Sequence, residues 1–99
     1  MRVKFNESDR NKVLENIKSV LGQRKLADLL DFSVTPGSLI VKISKLGTSE
    51  LSFTEKAAAN GIEYTLTGEK IALAHRAFKS EVTEKIIKIV EKAGGTVVA

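Results

Sequence analysis

Two lysines, Lys42 and Lys45, could bind an anion, because the segment around them contains no acidic side chain. That segment covers residues 32–49. If it is helical, both lysines share an exposed face with Ser38 and Val41. A helix fits the major groove of DNA, where Ser38 or Lys42 would reach base edges and Lys45 a phosphate. The segment therefore predicts a DNA contact, and the alternative is an ordinary solvated lysine face.

Four further residues could support this contact. Thr35 and Gly37, at the start of the same helix, could offer backbone N–H groups to a phosphate, or they could simply cap the helix. Lys56 and Asn60 lie at the tip of a predicted hairpin and could touch the DNA backbone or minor groove, or form a polar loop. The predicted DNA-binding set is Thr35, Gly37, Ser38, Val41, Lys42, Lys45, Lys56 and Asn60.

Other kinds of chemistry find little support in the residue types. The chain has no cysteine and a single histidine, His75, so a zinc site would need carboxylates alone, which is uncommon. His75 lies near an apolar stripe and is predicted to be partly buried and hydrogen-bonded. The acidic residues are scattered, without a pair suited to acid–base catalysis, and no glycine-rich phosphate loop follows a strand. We therefore expect no enzymatic activity, no metal and no cofactor.

Size and composition predict one folded domain over residues 1–99. The chain is 42% hydrophobic with a formal net charge of +4, which is far from the composition of disordered chains. The excess of basic residues permits an anionic partner. No apolar run approaches the roughly 20 residues that cross a membrane, and the N-terminal residues lack the apolar stretch of a secretory signal. A soluble, cytoplasmic protein that does not contact membranes is expected.

The first part of the chain is predicted to form a short strand or ordered arm followed by two helices. The alternation over Met1–Phe5 indicates the strand. Val13, Ile17, Val20 and Leu21 form one apolar stripe, and Gly22 is suited to cap a helix that carries it. The predicted helices are Ser8–Leu21 and Arg24–Leu30.

Two interpretations compete for residues 32–46. In the first, Pro36 and Gly37 form a type II turn between two strands, which the β-branched run from Ile40 to Ile43 favours. In the second, Thr35 caps a helix that begins at Pro36 and ends at Leu46 before Gly47. We prefer the helix because cap, first-turn proline, apolar spacing and stop agree.

The second half of the chain is predicted to contain a hairpin and a long helix. Alternating residues around Leu51–Phe53 and Ile62–Leu66 indicate two strands with a tip around Glu55–Gly61. An apolar stripe from Ile71 to Ala93 favours one helix over Gly68–Ala93. The alternative is a strand at Ile71–His75 and a helix from Ser80. A short extended tail follows at residues 96–98.

This order of elements resembles the winged helix-turn-helix domain of transcriptional regulators. Leu26–Leu30 resembles the first helix of the turn motif, Thr35–Gly47 the recognition helix, and Ile62–Thr67 the second wing strand. The resemblance implies an α+β fold with three helices, a two-stranded wing hairpin and a long C-terminal helix. The winged helix core would cover about residues 8–67 and the C-terminal helix about residues 68–93. The implied function is that of a transcriptional regulator that inserts helix 36–46 into the major groove of double-stranded DNA, with no small-molecule effector identified.

The long helix also predicts self-association. Ile87 and Val90 lie on a flank of the helix outside its main stripe, which suggests a homodimer contact, and a wider contact with the first helix is the alternative. A second functional hypothesis is a protein-interaction module on a related α+β fold. A third interpretation uses hairpins throughout, giving a four- or five-stranded sheet with two helices and no assigned function. The residues from Phe78 onward are faintly similar to granule-associated proteins of the polyhydroxyalkanoate system, which would fit that third version.

Overall fold

Alternating apolar and polar residues along six segments build one antiparallel sheet, on which two helices pack. The computed structural model describes residues 1–24 and 28–98. The elements in chain order are β1 (Arg2–Phe5), α1 (Arg10–Arg24), β2 (Leu30–Thr35), β3 (Ser38–Ser44), β4 (Thr48–Ala58), β5 (Gly61–Lys70), a 3₁₀ helix (Leu73–Phe78), α2 (Lys79–Lys92) and β6 (Gly95–Val98). The strand order in the sheet is β2-β3-β4-β5-β1-β6.

The period of two divides the sheet into an inner and an outer face. Inner residues such as Phe32, Val41 and Phe53 are buried together with the apolar stripes of both helices in one core. Outer residues such as Lys42 and Thr54 are exposed. Both helices therefore cover the same face, and β2 and β6 form the two edges of the sheet.

The predicted helix over Pro36–Leu46 is wrong, and the hairpin interpretation of this segment is confirmed. Pro36 and Gly37 form the turn between β2 and β3, and Gly37 has the φ of +90° that the third position of a type II turn requires. Leu39, Val41 and Ile43 all face the core. A helix would leave Val41 on its solvent side, whereas a strand buries all three residues.

The predicted long helix over Gly68–Ala93 is also wrong. β5 continues to Lys70 because it pairs with β4 across a bulge between Ser52 and Phe53. The alternative strand at Ile71–His75 is also wrong, since a 3₁₀ helix begins at Leu73. The alternative helix start at Ser80 lies one residue from the observed start of α2 at Lys79. Since α2 has 14 residues, it does not extend beyond the core as a longer helix would.

The fold is therefore a six-stranded antiparallel sheet with two α-helices, and the winged helix-turn-helix architecture is corrected. The helix predicted over Arg24–Leu30 lies partly outside the described residues, and Leu30 itself begins β2. α1 continues through Gly22, which was expected to cap it, to Arg24. The sheet with two helices was the third interpretation, although the structure has more strands than the four or five expected.

Other elements agree with the sequence. The strand at Met1–Phe5, the hairpin of β4 and β5 and the extended tail at residues 96–98 are confirmed as β1, β4–β5 and β6. The buried, hydrogen-bonded character of His75 is also confirmed. Within the described part of the chain, neither helix is long and apolar enough to span a membrane.

Candidate functional site

A concave groove is present at one end of the sheet. It lies between the β3–β4 turn and the start of α2, and its volume is about 310 Å³. This volume is at the lower end of the range for ligand-binding clefts, about 300–1,000 Å³. The groove is lined by Leu29, Ile43, Lys45, Leu46, Ala74, His75, Phe78, Glu81, Val82 and Lys85.

Exposed apolar side chains gather around this groove. Leu46 in the turn is 83% exposed and Phe78 is 52% exposed, and both line the groove. Leu73 is 80% exposed. It follows Ala72, whose Cβ lies 3.2 Å from the position that a Cβ on Gly47 would take. The turn at Leu46–Gly47 and the start of the 3₁₀ helix therefore lie close together. We call Leu46 and Phe78, which line the groove, together with Leu73 at the start of the 3₁₀ helix, the apolar rim.

Leu46 also has an unfavourable backbone conformation. Its φ is +57°, in the left-handed region that residues other than glycine, asparagine and aspartate rarely adopt. A turn at this position would form more easily with asparagine or glycine, and neither would expose an apolar side chain. A strained and exposed leucine is poorly explained by stability, and such outliers concentrate at functional sites.

The charges that line the groove are mainly positive. Lys45 lies on the turn side and Lys85 on α2, with Glu81 one helical turn before Lys85. Lys79, at the start of α2, is paired with Glu69 at 3.0 Å. Among residues 1–24 and 28–98, Lys45 and Lys85 form no ion pair within 4 Å. The groove therefore offers an apolar floor with two available ammonium groups.

A chain of buried hydrogen bonds supports the groove from below. The Ala72 N–H donates to Ser49 Oγ over 2.8 Å, and the Ser49 hydroxyl shares a second hydrogen bond with Nδ1 of His75. The other ring nitrogen, Nε2–H, donates to the Lys45 carbonyl oxygen. The chain links β4, the 3₁₀ helix and the β3–β4 turn, and so fixes the apolar rim.

Ser49 and His75 are the residue types of a nucleophile and its general base. Their surroundings nevertheless indicate a structural role. Ser49 is 1% exposed, and its oxygen already accepts the Ala72 N–H. A nucleophile must reach a substrate carbonyl beside donors that stabilise the oxyanion. The cavity that touches both side chains is only about 20 Å³, and its other lining residues are mostly apolar. The geometry therefore supports bracing of the turn.

A second polar cluster lies at the opposite end of the sheet. Arg10, at the start of α1, donates from Nη2 to Glu55 Oε1 over 2.7 Å and from Nε to Oε2 over 3.1 Å. The Tyr64 hydroxyl donates to the same carboxylate over 3.3 Å. The hydrogen bond from Arg10 lowers the pKa of Glu55, against the opposing effect of burial. Burial raises the pKa of Tyr64 to about 12, with a further contribution from the nearby carboxylate. This cluster fastens α1 to the sheet.

The structure separates the residues that were predicted to bind DNA. Thr35, Gly37 and Ser38 lie at the β2–β3 turn, and Lys56 and Asn60 lie near the β4–β5 turn at the same end of the sheet. Lys45 lies at the other end, beside the groove. The predicted helical face is absent: Val41 is buried in the core, while Lys42 projects from the outer face of the sheet.

The outer face of the sheet also lacks features typical of single-strand recognition. Phe5, Phe32, Phe53 and Tyr64 are all buried on the inner face. Bases stack on exposed aromatic rings in sheet-based nucleic-acid sites, and no aromatic side chain of the described strands projects outward. The insertion of helix 36–46 into a major groove is excluded by the fold, and DNA binding in another form stays a prediction.

The predicted dimer residues lie in different environments from those expected. Val90 is 3% exposed and packs in the core of its own chain, while Ile87 is half-buried. The apolar stripe of the longer predicted helix includes Ile71 and Phe78. These residues shift the centre of the stripe away from Val90, which therefore falls on its flank. With α2 beginning at Lys79, the core side is formed by Ile86, Ile89, Val90 and Ala93.

Sequence reasoning missed the apolar rim. The predicted helix over Pro36–Leu46 places Leu46 on its apolar face, and the predicted helix over Gly68–Ala93 places Phe78 in its apolar stripe. The hairpin interpretation runs its second strand from Leu39 to Leu46, so it does not indicate an exposed leucine in a turn either. In residues 1–24 and 28–98, no group of three or more histidine or acidic side chains converges as metal ligands would.

Comparisons of this chain with protein-family models, with curated proteins and with solved structures find no match.

Proposed function

We propose that the protein is a non-enzymatic interaction module that binds an apolar segment of a partner protein carrying acidic residues. The apolar side chains of that segment would cover the apolar rim and enter the groove, and its carboxylates would lie near Lys45 and Lys85. The proposal includes the cytoplasmic location expected from the sequence.

One observation carries the proposal: Leu46 is both strained and almost fully exposed at the edge of a concave surface. Burying a leucine side chain contributes about 1.5–3 kcal/mol of favourable free energy. Because Leu46 is exposed in the isolated chain, a partner that covers it would gain this contribution on binding. Phe78 lines the same groove and is half-exposed, and Leu73 at the start of the 3₁₀ helix is exposed as well. Apolar residues in such a cluster are typical of interaction sites.

The acidic character of the partner follows from the charges that line the groove. Two ammonium groups and one carboxylate line the groove, and complementary charge mainly favours the correct partner and its rate of association. Leucine or phenylalanine flanked by glutamate or aspartate is the chemistry that this surface fits.

A direct test uses a short fluorescent peptide of leucine, phenylalanine and glutamate, and the same peptide with lysine in place of glutamate. Fluorescence anisotropy should detect binding of the acidic peptide and weaker binding of the basic one. Lys45→Glu should weaken binding of the acidic peptide by roughly tenfold. The matched control is Lys42→Glu, which makes the same change of charge on the outer face of the sheet and should leave the affinity unchanged.

Duplex DNA is the second ligand in this experiment. If DNA binds and the peptide does not, and if Lys42→Glu weakens the DNA complex, the interaction-module proposal is wrong and the DNA-binding expectation is supported. Equal effects of the two lysine variants on the acidic peptide would also contradict the groove as its site, because only Lys45 lines the groove.

A further inference from the structure

The edge strand β2 is open along its outer side. Thr35 and Ser38 flank a two-residue turn, so they form a hydrogen-bonded pair, and every second residue along the hairpin does the same. The bond from Ser44 N–H to the Leu29 carbonyl belongs to this set. The N–H and C=O groups of Leu30, Phe32 and Val34 therefore point away from β3, and no described backbone group bonds to them.

Asp31 is the one charged side chain on this edge, which otherwise has little protection against strand pairing. Edges are commonly shielded by lysine, proline, a bulge or a very short strand. β2 has six residues, LDFSVT, without lysine, proline or a register shift. The other edge strand, β6, has only four residues and begins with a glycine. The contrast identifies β2 as the edge that can accept a further strand.

The residue pattern of β2 is complementary to itself. If two copies pair antiparallel with Phe32 opposite Phe32, then Leu30 meets Val34 on the inner face and Asp31 meets Ser33 on the outer face. Apolar residues then lie opposite apolar residues, and a carboxylate lies opposite a hydroxyl that can donate to it. Val34, only half-buried in the single chain, would gain an apolar neighbour.

The helices are compatible with this pairing. α1 begins above β4, where Arg10 binds Glu55, and leads towards the start of β2. A two-fold axis through Phe32, normal to the sheet, places the C-terminal ends of the two α1 helices at opposite ends of the joined strands. They therefore do not compete for the same space.

We propose that β2 is a self-association edge, through which two copies of this chain join their sheets into one continuous antiparallel sheet. The partner is a second copy rather than an unrelated strand, because the pairing about Phe32 matches the inner and outer positions from Leu30 to Val34. This contact is distinct from the groove and from the helix flank at Ile87 and Val90.

The test compares two double variants by sedimentation equilibrium. Asp31→Lys with Ser33→Lys places lysine opposite lysine in the paired β2 strands and should convert the dimer to a monomer. Glu50→Lys with Ser52→Lys makes the same two changes on the outer face of the central strand β4 and should leave the dimer intact. A wild-type chain that stays monomeric at high micromolar concentration overturns the proposal, as does dissociation caused only by the β4 variant.

Hydrogen exchange of the unaltered chain keeps the proposal testable if either variant fails to fold. The Phe32 and Val34 amides point away from β3, so only dimerisation protects them from exchange. Their exchange should be at least about tenfold slower at high than at low protein concentration. The Ser33 amide, which bonds to β3 within one chain, is the internal control and should not depend on concentration. Exchange of Phe32 and Val34 that is independent of concentration overturns the proposal.

Discussion

At the scale of single residues, Leu46 is the position where stability and function are expected to oppose each other. Asparagine tolerates the left-handed backbone at this position and does not expose an apolar side chain. Leu46→Asn should therefore stabilise the chain by about 1 kcal/mol, while it weakens binding of the acidic peptide by about tenfold or more because the apolar contact is lost.

Urea unfolding measures the first effect of Leu46→Asn and anisotropy the second. A variant that is less stable than the wild type would show that Leu46 contributes to folding. Unchanged peptide affinity would remove Leu46 from the binding site.

Glu55 gives a pH-dependent prediction. The hydrogen bond from Arg10 keeps its pKa below the ordinary value of 4.5, so its contribution to stability is complete above that value and is lost as the pH falls through the lower pKa of the folded state. In Glu55→Gln the side chain does not titrate. The difference in unfolding free energy between wild type and variant should favour the wild type at neutral pH and shrink in acid. If the difference in unfolding free energy stays constant from neutral pH to a pH below the ordinary pKa of glutamate, the stabilising role of the Arg10–Glu55 pair is contradicted.

At the scale of elements, the contact between the β3–β4 turn and the 3₁₀ helix depends on Ser49. Ser49→Ala leaves the Ala72 N–H and Nδ1 of His75 without their partner, and each buried unsatisfied group costs about 1–3 kcal/mol. We expect a loss of about 2 kcal/mol of unfolding free energy, since some relaxation is possible. Ser52→Ala, on the outer face of the same strand, is the matched control and should change stability by less than about 0.5 kcal/mol. Similar losses in both variants would argue against the hydrogen-bond chain as a brace.

The sequence was informative where alternation was local and unambiguous. β1 and the β4–β5 hairpin follow directly from their period of two. The segment after Pro36 satisfied helical and strand patterns equally, because Leu39, Ile43 and Leu46 are spaced as on a helix while Leu39, Val41 and Ile43 alternate as on a strand. Long-range pairing with β2 and β4 decides between them, and that pairing cannot be read from the segment alone.

The candidate site was harder to foresee than the fold. The groove is assembled from β3, the β3–β4 turn, the 3₁₀ helix and α2, so it exists only once these distant segments have met. The sequence does not distinguish Leu46 and Phe78 from the apolar residues of the core, because only the structure shows that they are exposed. His75 was an exception, since a single histidine near an apolar stripe indicates a buried, hydrogen-bonded side chain without knowledge of its partners.

At the scale of the whole molecule, the two proposed contacts use different parts of one sheet. The groove lies at the end that carries the β3–β4 turn, and the self-association edge runs along β2. A dimer through β2 would relate its two grooves by the same two-fold axis, so a partner protein with two acidic apolar segments would bind with avidity if its linker spans them. Loss of the dimer should therefore weaken binding of a two-segment peptide while leaving the affinity for a single segment unchanged.

The most direct test of the interaction module is a two-dimensional ¹H–¹⁵N NMR titration of the wild-type chain with the acidic peptide. We expect shift changes confined to the groove and the apolar rim, led by the amides of Leu46, Leu73 and Phe78. The amides of Lys42 and Thr54, on the outer face, should be unaffected. Shift changes centred on Lys42 and the outer face, or no response to the acidic peptide together with a response to duplex DNA, would contradict the interaction-module proposal.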